Sequence, residues 1–98
     1  MNANEFLRRY AEGERDFRGT SLSGVDLSWK TLQGINLHSA NLSGANLIAT
    51  DLSRTNLNQA NLNSADMRGA DLSGSYLRGK CIFPTRIEKI TTQDKILV

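Results

Sequence analysis

All 13 leucines of this chain stand at positions that leave a remainder of two on division by five, from Leu7 through Leu22 and Leu27 to Leu77 and Leu97. Between residues 17 and 82 that class holds 14 residues, 11 of them leucine, and the other three, Phe17, Met67 and Ile82, are also apolar. No regular element has a period of five. A helix would rotate successive leucines by about 140° and form no stripe. In a strand an odd step sends consecutive leucines to opposite faces. The chain can bury every centre only by turning once in each pentad, and four such turns return it over its own start. The expected result is a solenoid with twenty residues per coil, the coils stacked ~4.8 Å apart.

The other pentad positions agree. Two residues before each centre the side chain is often small, as at Ala40, Ala45, Ala60, Ala65, Ala70 and Ser75, which suits a second inward position in a narrow tube. Directly before the centre stands Asn or Asp in 10 of 14 pentads, residues that hydrogen-bond nearby backbone in turns. Two after the centre, glycine recurs at 19, 24, 34, 44, 69, 74 and 79, where it relieves the crowding of a tight turn. Segments such as Ala40-Asn41-Leu42-Ser43-Gly44 and Ala70-Asp71-Leu72-Ser73-Gly74 resemble the A-(D/N)-L-x-x pattern of the pentapeptide-repeat family, over roughly residues 15–84. The resemblance implies an all-β solenoid, the family's right-handed quadrilateral β-helix. Its members are abundant in cyanobacteria.

Four pentads per coil give about three and a half coils in residues 15–84 and define four interior columns. The first holds Phe17, Leu37, Leu57 and Leu77, and the second Leu22, Leu42, Leu62 and Ile82. The third holds Leu27, Leu47 and Met67, and the fourth Leu32, Leu52 and Leu72. The open ends of such a stack need covering. Residues 1–14 are expected to form a helical cap, with Asn4 capping a short α-helix that runs to about Glu12 and lays Phe6, Leu7, Tyr10 and Ala11 over the first coil. At the other end Lys80 occupies a small-residue position and Pro84 interrupts the pattern. Residues 85–98 are expected to be a C-terminal tail or cap, with an apolar end at Lys95-Ile96-Leu97-Val98.

The chain of 98 residues is the size of one domain. Its net charge of +2 is too balanced for a strongly basic nucleic-acid arm or an acidic DNA mimic. A single cysteine, Cys81, permits no internal disulfide and no cysteine zinc site. No signal peptide is visible and no stretch approaches the ~20 apolar residues of a membrane helix, so the expected location is cytoplasmic. No cofactor or metal is implied. The segment Gly74 to Cys81 is a near miss to a phosphate-binding loop, but its glycines five apart are automatic in this repeat. His38, expected outward between Arg18 and Asn58, has no column partner that would make it catalytic. The chain is not expected to be an enzyme.

The candidate contact surface is built on Trp29, the sole tryptophan, which stands at an outward position. Trp29, Ile48 and Ala49 should form a small apolar patch edged by Lys30 and Arg68, and tryptophan is enriched at binding hot spots. The competing reading has the ring lying flat over its small neighbours to shield the wall. The leading functional expectation is therefore a non-catalytic structural or protein-interaction module with a protein partner, nucleic acid and membrane being disfavoured. Self-association as a homo-oligomer, or end-to-end stacking on another repeat protein through the C-terminal end, is the structural alternative. The family resemblance adds another, regulation of DNA gyrase or a related topoisomerase by imitating duplex DNA. The short rod, with seven basic and five acidic residues in 15–84, departs from the long acidic dimers that do this.

Overall fold

The computed structural model describes residues 1–78. The chain must bend once in every pentad, so no strand grows beyond a single paired residue. Parallel bridges join residues twenty apart, Asp16 to Asn36, Asn36 to Asn56 and Asn56 to Tyr76 on one side, with matching series from Ser21, Asp26 and Thr31. Backbone bonds run along the same seams. The Phe17 N–H donates to Asn36 O at 2.9 Å, Leu42 to Asn61 at 2.8 Å, and in the return direction Asn36 donates to Arg15 O at 2.8 Å. Such a ladder satisfies the main chain without a conventional sheet. The architecture is a β-helix solenoid, and its register is the one that the leucine spacing requires.

The interior is built from the pentad centres. In the first column Phe17, Leu37, Leu57 and Leu77 are all buried, and so are Leu27, Leu47 and Met67 in the third and Leu32, Leu52 and Leu72 in the fourth. In the second column Leu42 lies between Leu22 and Leu62, all three without measurable exposure. The last centre of that column, Ile82, lies outside the described residues, as do Gly79, Lys80, Cys81, Pro84 and the 85–98 tail. The small residues two before each centre are buried beside the leucines, as expected, at Ala40, Ala45, Ala60, Ala65 and Ala70. Ile35 occupies the same inward position with a much larger side chain and is also buried. One coil earlier its column holds Arg15, which is exposed, so no inward side chain competes for that space.

Buried hydroxyls in this position are all used. Thr50 Oγ1 donates to Leu27 O at 2.8 Å, while Thr55 Oγ1 (2.7 Å) and Ser75 Oγ (2.5 Å) both donate to Leu52 O. The Ser75 hydroxyl oxygen in turn accepts the Thr55 N–H at 3.2 Å. Among the described residues no buried side-chain N or O lacks a partner. This matters because an orphaned polar atom inside so thin a core costs about 1–3 kcal/mol.

One helix, α1 (Ala3–Ala11), covers the first coil. Its cap is Asn2 rather than the expected Asn4: the Asn2 side chain accepts the Glu5 N–H at 2.8 Å. Starting the helix there turns Ala3, Phe6, Leu7 and Tyr10 toward the core at i, i+3, i+4 and i+7 spacing, while Ala11 is exposed instead of buried. Phe6 is fully buried, with its ring edge-on to Phe17 at 4.6 Å between centroids. Tyr10 anchors the far end of the helix. Its hydroxyl donates to Gln33 O at 2.9 Å, and the Arg15 guanidinium sits 3.7 Å from its ring centre. Arg9 pairs with Glu14, and that hydrogen bond holds the guanidinium's pKa above its usual value. No helix among the described residues is long and apolar enough to cross a membrane.

Candidate functional site

Each pentad reaches the surface through its turn. The ten Asn and Asp residues before the centres all accept a hydrogen bond at Oδ1 from the backbone N–H two residues on, at 2.9 to 3.3 Å. The residue two after the centre then takes a left-handed conformation in each pentad from the Phe17 centre to the Leu72 centre. Six such positions, from Gly19 to Gly74, are glycine. The other six are Trp29, Ser39, Ala49, Arg54, Gln59 and Ser64, with φ between 55° and 62°. This is the φ > 0 signature of a type II turn. The recurrent glycines were expected to relieve crowding, but the sign of φ is the operative cause, and half the turns meet it without glycine.

Trp29 therefore occupies a position where a side chain is conformationally costly. Its φ is 62° and it is 78% exposed, against 42% for Tyr76, the other large exposed hydrophobic among the described residues. Its N–H donates to Ile48 O at 2.9 Å, and Ala49 N–H donates to Arg68 O at 2.9 Å. The three rows are thus fixed one coil apart, and the column falls in size from Trp29 to Ala49 to Gly69. A Cβ built on Gly69 would sit 3.7 Å from Ala49 Cα, an ordinary contact, so these two rows are closely stacked. Ile48 and Ala49 are half-buried, whereas Lys30 and Arg68 are exposed. Arg68 is held by Asp66, which accepts from its Nε at 2.9 Å and its Nη2 at 2.7 Å. Backbone bonds thus place Trp29, Ile48–Ala49 and Arg68 in rows one coil apart, with Lys30 next to Trp29 along its row. A ring that is 78% exposed cannot lie flat over its neighbours.

A second surface feature surrounds His38. An open pocket of about 460 Å³ is lined by Asp16, Arg18, Gly19, His38 and Ser39. His38 is outward in the expected column: Gly19 N–H donates to its carbonyl at 2.9 Å, and Asn58 Oδ1 accepts the Arg78 N–H at 2.7 Å further along. The structure adds a neighbour that a column argument misses, because it lies within a row. Ser39 Oγ lies 3.0 Å from His38 Nδ1. The pocket's carboxylate, Asp16, is engaged by Arg18, which bonds it through Nε at 3.0 Å and Nη2 at 3.1 Å. Among the described residues that leaves no orienting acid on the imidazole and no donor pair converging beside the hydroxyl.

Asp51 and Asp71 are stacked by a parallel backbone bridge, but each carboxylate is occupied separately. Gln33 Nε2 donates to Asp51 Oδ2 at 2.6 Å, and the Ser73 hydroxyl donates to Asp71 at 2.6 Å. Burial raises the Asp51 carboxyl, yet hydrogen bonds from Gln33 and Ser53 outweigh it and the net pKa is lowered. Asp16 is lowered by the side-chain hydrogen bond from Arg18, and Asp26 by the Ser28 hydroxyl. Among the described residues no three His, Cys, Asp or Glu side chains gather as a metal site would require.

Residues 40–79 match the family model of pentapeptide repeats in eight copies. Among solved structures, the chain is similar to HetL, a pentapeptide-repeat protein involved in heterocyst differentiation regulation from the cyanobacterium Nostoc sp. strain PCC 7120. The identity is 37% over 80% of this chain and 31% of that one, with a TM-score of 0.43. A pentapeptide-repeat protein of the Arabidopsis thaliana thylakoid lumen is 27% identical, over 71% of this chain and 59% of that one, with a TM-score of 0.44. A further Nostoc PCC 7120 pentapeptide-repeat protein is 28% identical over 94% and 96% of the two chains, with a TM-score of 0.41. The chain therefore spans 31% and 59% of the length of the first two. No curated protein sequence matches the chain.

Proposed function

We propose that this chain, which belongs to the pentapeptide-repeat family, is a non-catalytic protein-interaction module whose contact surface is the wall carrying Trp29. The supporting fold is read as a four-sided coil of about three and a half turns, which the twenty-residue register favours, and as right-handed, which the family resemblance implies. The observation that carries the proposal is Trp29 itself. An L residue in the left-handed region costs about 1–2 kcal/mol relative to glycine's freedom there. A tryptophan that is 78% exposed recovers little of this through burial. The same backbone cost is met at the exposed Ser39, Arg54, Gln59 and Ser64, so what sets Trp29 apart is the large indole held in solvent there, a side chain enriched at binding hot spots.

The His38 pocket supports the non-catalytic part of the reading. Its serine is exposed, its histidine half-buried and its carboxylate paired with Arg18, so among the described residues these groups form no polarised triad. Binding would proceed by surface complementarity, with the aromatic ring as anchor.

The test is the stability of Trp29→Ala. A contact residue gives a loss of about 1 kcal/mol or less in urea unfolding, matching the small buried fraction of the ring. A shielding tryptophan would lose about 3–5 kcal/mol, and a loss of that size would refute the proposal.

A further inference from the structure

We propose that the open edge of the first coil, along Asp26 to Ser28, takes up an extended segment of a partner protein as an added strand, with Trp29 as the side-chain anchor. The inference rests on the reading of Trp29 as a contact residue and names the chemistry of what it contacts.

The edge follows from the ladder itself. Asn46, one coil on from Asp26, donates its N–H to Val25 O at 2.8 Å and accepts the Leu27 N–H at its carbonyl at 2.9 Å. Ile48 O, one coil on from Ser28, accepts the Trp29 N–H at 2.9 Å. The same groups of the first coil face the side on which no coil lies. Among the described residues Asp26 N–H, Asp26 O and Ser28 O have no partner. Helix α1 closes this end on either side of them. The Met1 nitrogen donates to Ser21 O at 3.2 Å and the Tyr10 hydroxyl to Gln33 O at 2.9 Å, while Phe6 fills the interior against Phe17. Between those two anchors Asp26, Trp29 and Lys30 are exposed and Ser28 is half-buried.

A donor and an acceptor on one residue, with a second acceptor two residues on, is the pattern of an unpaired strand edge, and another main chain is what satisfies it. A complete coil cannot seat here, because α1 lies across the interior; a single segment can. Paired in the sense of the existing ladder, the residue beside Leu27 donates to Asp26 O, and the residue two further on, beside Trp29, donates to Ser28 O. The wall turns at Trp29, where φ is 62°, so a straight segment leaves it there with that second residue against the indole. An apolar or aromatic side chain suits this place. The next residue passes Lys30, which joins none of the ion pairs among the described residues, so an acidic side chain suits it. The Asp26 carboxylate is already engaged by the Ser28 N–H at 3.0 Å and hydroxyl at 2.7 Å. Charges on an edge blunt indiscriminate pairing, and Lys30 here also sets the motif, an apolar residue followed by an acidic one. A few main-chain bonds and one ring make a weak, exchanging contact, with a dissociation constant on the order of 100 µM.

The test pans a displayed library of random linear peptides against the chain and against Trp29→Ala in parallel. Clones enriched on the chain alone are expected to carry an apolar or aromatic residue followed by Asp or Glu, and panning on Lys30→Glu should replace the acid by a basic residue. A synthetic peptide of the enriched sequence should slow exchange of the Asp26 amide about tenfold when present at about ten times its dissociation constant. It should also reduce acrylamide quenching of Trp29, the sole tryptophan. N-methylation of the apolar residue's amide, or of the amide two before it, weakens binding by about tenfold or more, whereas methylating the amide between them leaves it within about threefold. An Asp26 amide that exchanges as slowly as that of Leu27 in the free chain overturns the open edge. No enrichment on the chain overturns the choice of partner, and the stability of Trp29→Ala then decides the contact reading separately. Peptides that need Trp29 yet leave Asp26 exchange unchanged, or tolerate methylation at every amide, overturn strand addition while the contact reading stands. Peptides that bind Trp29→Ala equally well overturn both.

Discussion

Replacing Gly24 by alanine and Ser64 by glycine tests the backbone account of the turns, because the two residues stand in one column and should respond with opposite sign. Gly24 has φ 71°, and a Cβ placed on it meets nothing within 4 Å. The alanine variant therefore adds no clash, and its whole effect is conformational. An L residue in this region costs about 1–2 kcal/mol, and the reduced freedom of the unfolded chain returns about 0.5–1 kcal/mol. Gly24→Ala should thus lose about 1 kcal/mol. Ser64 is exposed with φ 62°, and glycine there reverses the same two quantities, so Ser64→Gly should gain about 0.5–1 kcal/mol. For a domain of this size, 1 kcal/mol corresponds to about 4–8 °C in Tm. Urea unfolding at constant m-value measures both, and because the sites are in different coils the double variant should add to near zero. A neutral Gly24→Ala, or a destabilising Ser64→Gly, would refute the claim that left-handed backbone selects glycine in this solenoid.

Three other outcomes follow from named contacts. Ser75→Ala should cost about 1–3 kcal/mol because it orphans the buried Thr55 N–H, whereas Thr55→Val should cost only about 1 kcal/mol, since Ser75 still donates to Leu52 O; equal losses in chemical denaturation would contradict this network. Asp16, Asp26 and Asp51 have pKa values lowered in the fold, so each contributes stability above the unfolded carboxyl pKa of about 3.9 that disappears as pH falls through the folded value. Unfolding midpoints should be level above about pH 5 and decline below about pH 4, and Asp51→Asn, which can keep the turn bond as Asn36 does, should shallow the decline. Asn2→Ala should lose about 0.5–2 kcal/mol of helix stability, seen as faster amide exchange in residues 3–11 while the coils around Leu42 keep their protection.

What was legible in the sequence was whatever repeats. The period of five dictates the turning, and counting by twenty places Asp16, Asn36 and Asn56 in one bridged series and stacks Leu37 and Leu57 above Phe17. The outward station of Trp29 follows from the same count. What escaped was local to a single position. The choice of Asn2 over Asn4 as helix cap depends on which register lets Phe6 reach Phe17, a tertiary contact that two candidate asparagines cannot reveal. The burial of Ile35 depends on where Arg15 points. The contact between Ser39 and His38 depends on rotamers, which a column argument does not see. The exposure of Trp29 was equally undetermined, since an indole at that station could stand clear or lie down with the same spacing.

The first coil shows why the repeat is a statement about neighbours and not about the pentad alone. In the later coils the residue two before the centre is Ala, Thr or Ser and is buried, apart from the larger Ile35, because another coil lies against it and space is short. The first coil has α1 on one side instead. There the same station carries Arg15, Thr20, Val25 and Lys30, none of them fully buried, and the first centre is Phe17, whose larger ring meets Phe6 of the helix. Arg15 and Lys30 are exposed, while Thr20 and Val25 are half-buried and Val25 still packs against the core. Arg15 is taken up by Tyr10, tying the cap down, while Lys30 is left beside Trp29 at the edge of the wall. The charge that flanks the aromatic knob is therefore a by-product of the capped end. A contact surface built this way belongs to the first coil, and moving Trp29 one or two coils along, to the stations of Ala49 or Gly69, would separate it from Lys30.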